Sequence, residues 1–419
     1  MKVVVIGQGY VGLPVAMRAV EVGHTVVGLE KDPRRAARLA AADSFVEDVS
    51  DSDLVSALAT DRYTPTSTTA EAKDFDVAVI TVPTPLRDGA PDLSYIEIAA
   101  QELAPFVTTG CTVVLESTTY PGTTEELMVP ILEKGSGLLA GKDFHVGYSP
   151  ERIDPGNQTY TFVNTPKVVA GIDADSLAAV SDFYGSLVTR VVVAKGCKEA
   201  EMTKLIENTF RHVNVALVNE LAIFANELGI DVWDSIDAAS TKPFGFMRFT
   251  PGPGVGGHCL PIDPSYLSWR VKQSLNRQFR FVELANDINE HMPQYVVNRV
   301  TLMLNSSAKS IRGSRVLLLG LAYKKNSSDV RESPAVRVAA LLLDLGAVVC
   351  AVEPFLDEAP RSLDGVTLVP LSRDEVDKAD VIIVLTDHDQ FDFDLVSAGN
   401  TMVLDTRHRL SPGRFVEAL

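Results

Sequence analysis

The sequence predicts an α/β chain in which two parallel-sheet halves flank a helical middle. Three observations carry that class. Short β-branched runs alternate with amphipathic stretches through residues 1–196 and again through 307–419, the pattern of strand–helix–strand units. Residues 197–306 read as helical, interrupted by one glycine-rich loop. The first run leads directly into Gly7-Gln8-Gly9-Tyr10-Val11-Gly12, a glycine turn opening a helix.

In chain order, Lys2–Ile6 (KVVVI) is the first strand. A helix runs from Gly12 to about Val22 and closes at Gly23, and Thr25–Leu29 (TVVGL) is the second strand. Strand–GxGxxG–helix–strand is the context of a Rossmann dinucleotide site, where bare glycine backbone meets a pyrophosphate at the positive end of the helix. Glu30 ends the second strand, 18 residues after Gly12. A carboxylate there accepts from ribose hydroxyls and repels a 2′-phosphate, so NAD is expected. Lys31, Arg34 and Arg35 follow closely and leave NADP as the alternative.

Further strands are expected at Val77–Val82, Thr112–Leu115, Lys167–Ala170 and Val191–Ala194, with helices over Ser94–Phe106, Thr123–Glu133 and Asp175–Leu187. Ligands of such sheets lie beyond the carboxyl ends of the strands. Pro83-Thr84-Pro85, Ser117-Thr118-Thr119 and Ser149-Pro150-Glu151-Arg152 are therefore the expected floor of the site.

One long helix is expected from Lys198 to about Leu228, placing Lys204, Asn208 and Arg211 on one face at i, i+4 and i+7. That stripe is either solvated or turned to a cleft. The segment Pro251-Gly252-Pro253-Gly254-Val255-Gly256-Gly257-His258-Cys259-Leu260-Pro261-Ile262-Asp263-Pro264 is a shaped loop, with Asp263 as N-cap and Pro264 in the first turn of the next helix. Cys259 then lies just ahead of a helix N-terminus, where the dipole favours the nucleophilic thiolate. His258 is adjacent, but neighbouring side chains point apart. Cys111, Cys197 and Cys350 have no such setting.

A helix over Phe281–Leu304 is expected to join the halves and form a dimer surface. Arg315–Leu319, Val348–Val352, Val381–Leu385 and Met402–Leu404 repeat the strand pattern. The first turn of this second sheet, Gly320-Leu321-Ala322-Tyr323-Lys324, lacks GxGxxG and is a weak dinucleotide site. The cluster Asp387-His388-Asp389 with Asp392 and Asp394 lacks regular ligand spacing and reads as a solvated loop, so no metal is expected.

The balance of 38 Lys+Arg against 55 Asp+Glu gives a formal charge of −17, which argues against nucleic acid as a partner. Four widely spaced cysteines exclude a disulfide scaffold or a Cys-cluster zinc site and fit a reducing compartment. With no signal-peptide layout and no 18-residue apolar stretch, no membrane partner is expected, and a cytoplasmic chain is.

Seven segments resemble, in order and nearly end to end, the nucleotide-sugar 6-dehydrogenases of the UDP-glucose/GDP-mannose dehydrogenase family. They are GQGYVGLP, TVPTP, ESTTYPGTT, YSPERIDPGN, KLIENTFRHVNVALVNE, PGPGVGGHCLPIDP and GLAYKKNSSDVRESP. Within that family the loops look most like UDP-N-acetylglucosamine 6-dehydrogenases, with UDP-N-acetylmannosamine dehydrogenases as nearest neighbours. The resemblance implies an NAD-binding Rossmann domain over 1–196, a central helical domain over 197–306 and a UDP-sugar-binding Rossmann-like domain over 307–419. It implies oxidation of carbon 6 of a UDP-sugar from alcohol to carboxylate with two NAD, through a thiohemiacetal and a thioester on Cys259, in a homodimer or higher homo-oligomer.

Residue by residue, the resemblance makes Cys259, Lys204, Asp263, Asn208, Thr118 and Glu151 catalytic. Gly7, Gly9, Tyr10, Val11, Gly12, Glu30, Arg35, Thr84, Thr118 and Arg331 would hold the cofactor. Glu151, Arg152, Lys204, Asn208, Arg211, Gly256, Lys324 and Arg407 would hold the substrate. Two positions depart from UDP-glucose dehydrogenases. Pro155 stands where they carry a second glutamate, leaving water activation to Glu151, Asp154 or another group, and Ile262 stands where they carry a lysine, which argues against UDP-glucose. A cation from a neighbouring subunit would be Lys242 or Arg248.

Overall fold

The computed structural model describes every residue except Asp88, Pro155, Gly156, Gln158 and His258, and for Cys259 the backbone alone. The chain divides into two compact units, Met1–Glu207 and Asn208–Leu419, with the division inside one long helix.

In the first unit the strands are β1 (Lys2–Ile6), β2 (Thr25–Leu29), β3 (Tyr63–Thr66), β4 (Val77–Ile80), a short hairpin β5 (Leu86–Arg87) and β6 (Ala90–Pro91), β7 (Thr112–Leu115), β8 (His145–Tyr148), β9 (Lys167–Gly171) and β10 (Val191–Val193). The helices are α1 (Gly12–Glu21), α2 (Pro33–Ala40), α3 (Asp51–Leu58), α4 (Ser94–Leu103), α5 (Val129–Ser136), α6 (Ala174–Leu187) and the start of α7 (Cys197–Glu227). The large sheet has the order β10-β9-β8-β7-β4-β1-β2-β3. Its strands are apolar on both faces because helices cover both. Val3, Val5 and Val79 pack on one side, and Val4, Ile80 and Leu115 on the other. The order reverses at β1 and β4, the switch point where doubly wound sheets bind ligands.

One pairing departs from the all-parallel expectation: β8 and β9 are antiparallel, with Tyr148 opposite Ala170. The described residues between them form no helix of the kind that returns a chain in parallel. The first residue of β9 consequently lies at the end of the sheet where β7 and β8 finish.

The second unit contains the rest of α7, then α8 (Val232–Ser240), α9 (Cys259–Leu275) and α10 (Arg280–Ser306). A six-stranded sheet follows, made of β11 (Arg315–Leu319), β12 (Val348–Val352), β13 (Thr367–Leu368), β14 (Val381–Val384), β15 (Met402–Asp405) and β16 (Val416–Ala418). Helices α11 (Pro334–Asp344), α12 (Arg373–Lys378) and α13 (Phe393–Ser397) alternate with the strands. The order β13-β12-β11-β14-β15-β16 is parallel throughout. Met292 and Val296 of α10 pack with Val338 and Leu342 of α11 on one face of this sheet. Helix α10, expected to join the halves, is thus internal to the second unit. The architecture is two Rossmann-like sheets with a helical middle. Among the described residues no helix is long and apolar enough to cross a membrane.

Candidate active site

The glycine turn after β1 is built by contacts that exclude side chains. Gly7 has φ +93°, and a Cβ on Gly12 would lie 1.9 Å from the Gly7 carbonyl oxygen and 2.4 Å from Thr81 Oγ1. Thr81 Oγ1 donates to the carbonyls of Ile6 (2.9 Å) and Gly7 (2.8 Å), pinning the turn to β4. A Cβ on Gly9 would meet none of the described atoms within 4 Å, so the backbone there is open to close approach by a ligand. Helix α1 begins at Gly12 with no side-chain cap on its N-terminus, and Tyr10 and Val11 lead into it. Glu30, the first residue past β2, is buried, with Oε2 3.3 Å from the Gln8 amide and 3.8 Å from Arg35 Nη2, while Oε1 accepts from the Asp32 amide at 3.2 Å. Arg35 also lies over the Phe45 ring at 4.1 Å. An open glycine turn, an uncapped helix end and an acid at the end of β2 fit NAD.

Beyond β4, β7 and β8 lie the loops expected to floor the site. Thr84 follows β4, and Thr118 follows β7 in a segment where Ser117 Oγ donates to the Val82 carbonyl at 2.7 Å. After β8, Glu151 is buried and paired with Lys204. The Lys204 ammonium donates to the Glu151 carbonyl at 2.7 Å and to its carboxylate at 3.0 Å. The other carboxylate oxygen of Glu151 accepts from the Ile153 amide. Arg152 turns instead to the Pro166 carbonyl (2.8 Å) and to Glu207. Pro155 lies outside the described residues.

In the second unit Asn208 and Asp263, both buried, are joined by a hydrogen bond of 2.6 Å from the Asn208 amide to the Asp263 carboxylate. This corrects the expected helix start. Helix α9 begins at Cys259, so Asp263 is its fifth residue and Pro264 lies inside it. Pro261 falls in the first turn, where a missing N–H has no partner to lose, which lets the helix start earlier than an Asp-Pro cap suggests. Asp263 is then not a cap. Cys259 is the first helical residue, and His258 lies outside the described residues.

The loop before Cys259 needs its glycines for close packing as well as for turning. A Cβ on Gly256 would lie 2.7 Å from Tyr323 Cβ and 2.8 Å from Pro334 Cδ, and one on Gly257 would lie 2.6 Å from the Tyr323 ring. The Gly257 amide donates to the Arg331 carbonyl at 3.2 Å. At the loop's start the Gly252 amide donates to Asn219 (2.9 Å), which donates to Asn289 (2.9 Å). A Cβ on Gly252 would lie 3.0 Å from an Arg407 guanidinium nitrogen. The cysteine loop therefore packs directly on the segment after β11 that carries half-buried Lys324, and beside Arg407, whose Nε donates to the Leu385 carbonyl at 2.7 Å. Burial pulls the Arg407 pKa down, opposed by Asp387 and Asp405. Arg331 is held by Asp329 at 2.6 Å, and Arg211 is exposed.

The acidic cluster after β14 is also corrected at His388, which is fully buried rather than solvated. His388 Nδ1 accepts from the Asn326 amide (2.9 Å), which leaves Nε2 to donate to Glu353 at 3.1 Å. Glu353 is the first residue past β12, as Glu30 is past β2, and its Oε2 accepts from the Leu321 and Ala322 amides at 2.7 and 3.0 Å. The acid thus holds two N–H groups of the turn after β11. Among the described residues no cluster of three or more His, Cys, Asp or Glu is placed to hold a metal. Cys111, Cys197 and Cys350 are buried, and burial raises each thiol pKa.

Three buried groups had no signal in local sequence: Glu116, Lys167 and Glu201. Each has a hydrogen-bonding partner at least 51 residues away.

An NAD turn on one sheet and a cysteine loop packed on a second sheet define a nucleotide-dependent dehydrogenase. Residues 1–188 match the NAD binding domain of the UDP-glucose/GDP-mannose dehydrogenase family, 198–291 its central domain and 317–412 its UDP binding domain. The chain belongs to this family and is an NAD-dependent nucleotide-sugar dehydrogenase. It is 36% identical over 400 residues to the UDP-N-acetyl-D-glucosamine 6-dehydrogenase of Salmonella typhi, covering 93% of this chain and 91% of the relative. It is 34% identical over 392 residues to the UDP-N-acetyl-D-mannosamine dehydrogenase of Pyrococcus horikoshii, covering 93% and 90%. The solved structure of UDP-D-ManNAc dehydrogenase from Pyrococcus horikoshii superposes with a TM-score of 0.90 at 31% identity, covering 100% of this chain and 99% of that one.

Proposed function

We propose that the chain oxidises carbon 6 of a UDP-N-acetylhexosamine, UDP-N-acetylglucosamine foremost, to the uronate. The observation that carries the reading is the glycine loop packed on Tyr323 and Pro334, running into Cys259 as the first residue of α9. NAD, held by the turn at Gly7, Gly9 and Gly12 and by Glu30, supplies the hydride acceptor in two successive oxidations. Atoms and charge balance as one alcohol, two NAD⁺ and one water giving one carboxylate, two NADH and three protons.

The residues divide the remaining work. Loss of the first hydride and the O6 proton leaves an aldehyde. Cys259 adds to it, forming a C–S bond, and the thiohemiacetal then loses its own hydride and proton to give a thioester. Unpaired N–H groups of a first helical turn favour a thiolate on that turn. Lys204 and Asn208, one turn apart on α7, are the donors for developing negative charge on O6. Thr118 lies toward the nicotinamide in this assignment. Water attacks the thioester and the thiolate leaves. With proline at 155, the Glu151–Lys204 pair supports Glu151 as the group that takes the water's proton, and Asp263, hydrogen-bonded to Asn208, serves the proton transfers. Lys324 and Arg407 are assigned to the nucleotide-sugar and Arg331 to the cofactor.

We further assign a homodimer or higher homo-oligomer and a cytoplasmic setting. Exposed Phe210, Leu217, Leu221 and Phe224 recur at heptad-like spacing along α7, a stripe a second copy would cover. The deciding experiment is a panel of UDP-GlcNAc, UDP-GalNAc, UDP-ManNAc and UDP-glucose with NAD and NADP. It is scored by NADH per sugar and by product mass. The reading expects two NADH and a uronate from an N-acetylated sugar. One NADH with an accumulating aldehyde or ketone would overturn it.

A further inference from the structure

Two lysines hold two consecutive carbonyls of the loop after β8. Lys204 holds that of Glu151, as described. One residue earlier the Pro150 carbonyl accepts from Lys167 Nζ at 3.1 Å. Lys167 is itself ion-paired with Glu116, and the second carboxylate oxygen of Glu116 accepts from Tyr184 OH at 2.6 Å. The Lys167 and Glu116 side chains are 4% and 0% exposed. The ammonium also sits 5.0 Å from the Tyr184 ring centroid and 5.6 Å from that of Phe162.

The antiparallel turn of β9 explains why this pair reaches the site. Lys167 is the first residue of β9, and the reversed strand brings it level with the residues just past Tyr148, where Ser149 Oγ donates to the Val168 carbonyl at 2.7 Å. Glu116 is the first residue past β7, so the ion pair spans the carboxyl ends of β7 and β8 directly under Pro150. Burying both charges costs several kcal/mol per ion before their attraction is counted, and apolar residues of similar volume would fill the space at least as stably. Stability alone does not call for this pair. Geometry does, because the carbonyl of Pro150 fixes the peptide plane that begins at Glu151.

We propose that Lys167 and Glu116 are positioning residues that fix the Pro150–Glu151 peptide and so hold the Glu151 carboxylate against Lys204. The proposal rests on the catalytic reading of Glu151 and Lys204. Neither Lys167 nor Glu116 touches substrate in it. Their effect reaches the chemistry only through the loop.

The test replaces both charges at once, so that no lone buried charge remains. Glu116→Gln/Lys167→Met is compared with the parent for thermal melting, NAD affinity and steady-state NAD reduction with the best sugar of the panel. The expected result is a folded protein with unchanged NAD affinity, KM for the sugar within about threefold, and kcat lower by about tenfold or more. One limb of the kcat–pH profile should also be displaced. Lys167→Arg, which keeps a donor and the charge, should recover at least part of kcat.

A folded double variant with parental kcat and pH limb would overturn the proposal. If the double variant does not fold, Tyr184→Phe decides. It removes one hydrogen bond from Glu116 and should lower kcat by about two- to fivefold with the same limb displaced, and parental values would overturn the proposal equally. Glu151→Gln and Lys204→Met are run alongside. If both keep full activity the catalytic reading fails and the proposal falls with it. If both are inactive while the double variant is unaffected, positioning alone is wrong.

Discussion

Lys204 is bound to Glu151 twice over, through the main-chain carbonyl at 2.7 Å and the carboxylate at 3.0 Å, with both side chains buried. The ammonium is thereby fixed in place before substrate arrives, which is what a donor to developing oxyanion charge requires. Lys204→Met should lower kcat by about 10²- to 10³-fold while the sugar's KM changes by less than about threefold, because the lost interaction belongs to the transition state. Steady-state kinetics check this. A rise in KM with kcat preserved would make Lys204 a binding residue only.

The Asn208–Asp263 hydrogen bond of 2.6 Å yields a different prediction, about an intermediate. If Asp263 serves proton transfer late in the reaction, Asp263→Asn should complete both oxidations and stall at the thioester. Intact-protein mass spectrometry after mixing with UDP-sugar and NAD would show a covalent adduct, and a burst approaching two NADH per site would precede it. Cys259→Ala should show neither adduct nor acid product. Turnover of Asp263→Asn at the parental rate without an adduct would remove Asp263 from this role.

How far these features were readable from sequence depends on the range of the interaction. Strands β1, β2, β7, β11 and β12 were legible to the residue, because burial on both faces demands uninterrupted apolar runs. The edge strands β3, β13 and β16 lack that demand and carry residues such as Pro65 and Glu417, so pattern alone passed over them. Strand β8 was missed for another reason. It spans only His145–Tyr148 and includes Gly147, where a Cβ would lie 2.3 Å from the Ala170 carbonyl oxygen. Within the site, motif residues announced themselves through local spacing. Lys167 read only as a strand residue, and His388 as part of a solvated loop, because their buried partners, Glu116 and Glu353, are 51 and 35 positions away. An Asp-Pro step imitated a helix cap at Asp263, whose carboxylate is in fact committed to Asn208, 55 residues back.

Glu30 is the residue we propose sets cofactor choice, with its carboxylate buried beside the glycine turn and 3.8 Å from Arg35. Glu30→Ala removes both the acceptor for ribose hydroxyls and the charge that repels a 2′-phosphate, and it leaves Arg35 near the turn. The NAD kcat/KM should fall by about tenfold or more while that for NADP rises, narrowing the preference. Parallel titrations of the two cofactors measure it. An unchanged ratio of the two kcat/KM values would locate the selectivity elsewhere.

Glu201 gives a pH dependence whose sign is fixed by its surroundings. Its carboxylate is fully buried and accepts from the amides of Gly122 (2.5 Å) and Thr124 (2.8 Å) and from Thr124 Oγ1 (2.7 Å). Burial outweighs these donors and, with a smaller push from Glu125, raises its pKa from 4.5 to about 7. Between those values the folded state holds a proton that the unfolded chain has released, so stability falls as pH rises through this window and levels off above it. The span corresponds to roughly 3 kcal/mol, an upper figure given the three donors. Glu201→Gln does not titrate, so the stability difference between parent and variant should be largest near pH 5 and shrink toward pH 8. Denaturant melts at a series of pH values isolate this one group, because every other carboxylate cancels in the difference. A pH-independent difference would show that Glu201 is ionised in the folded protein throughout, with its three donors outweighing burial.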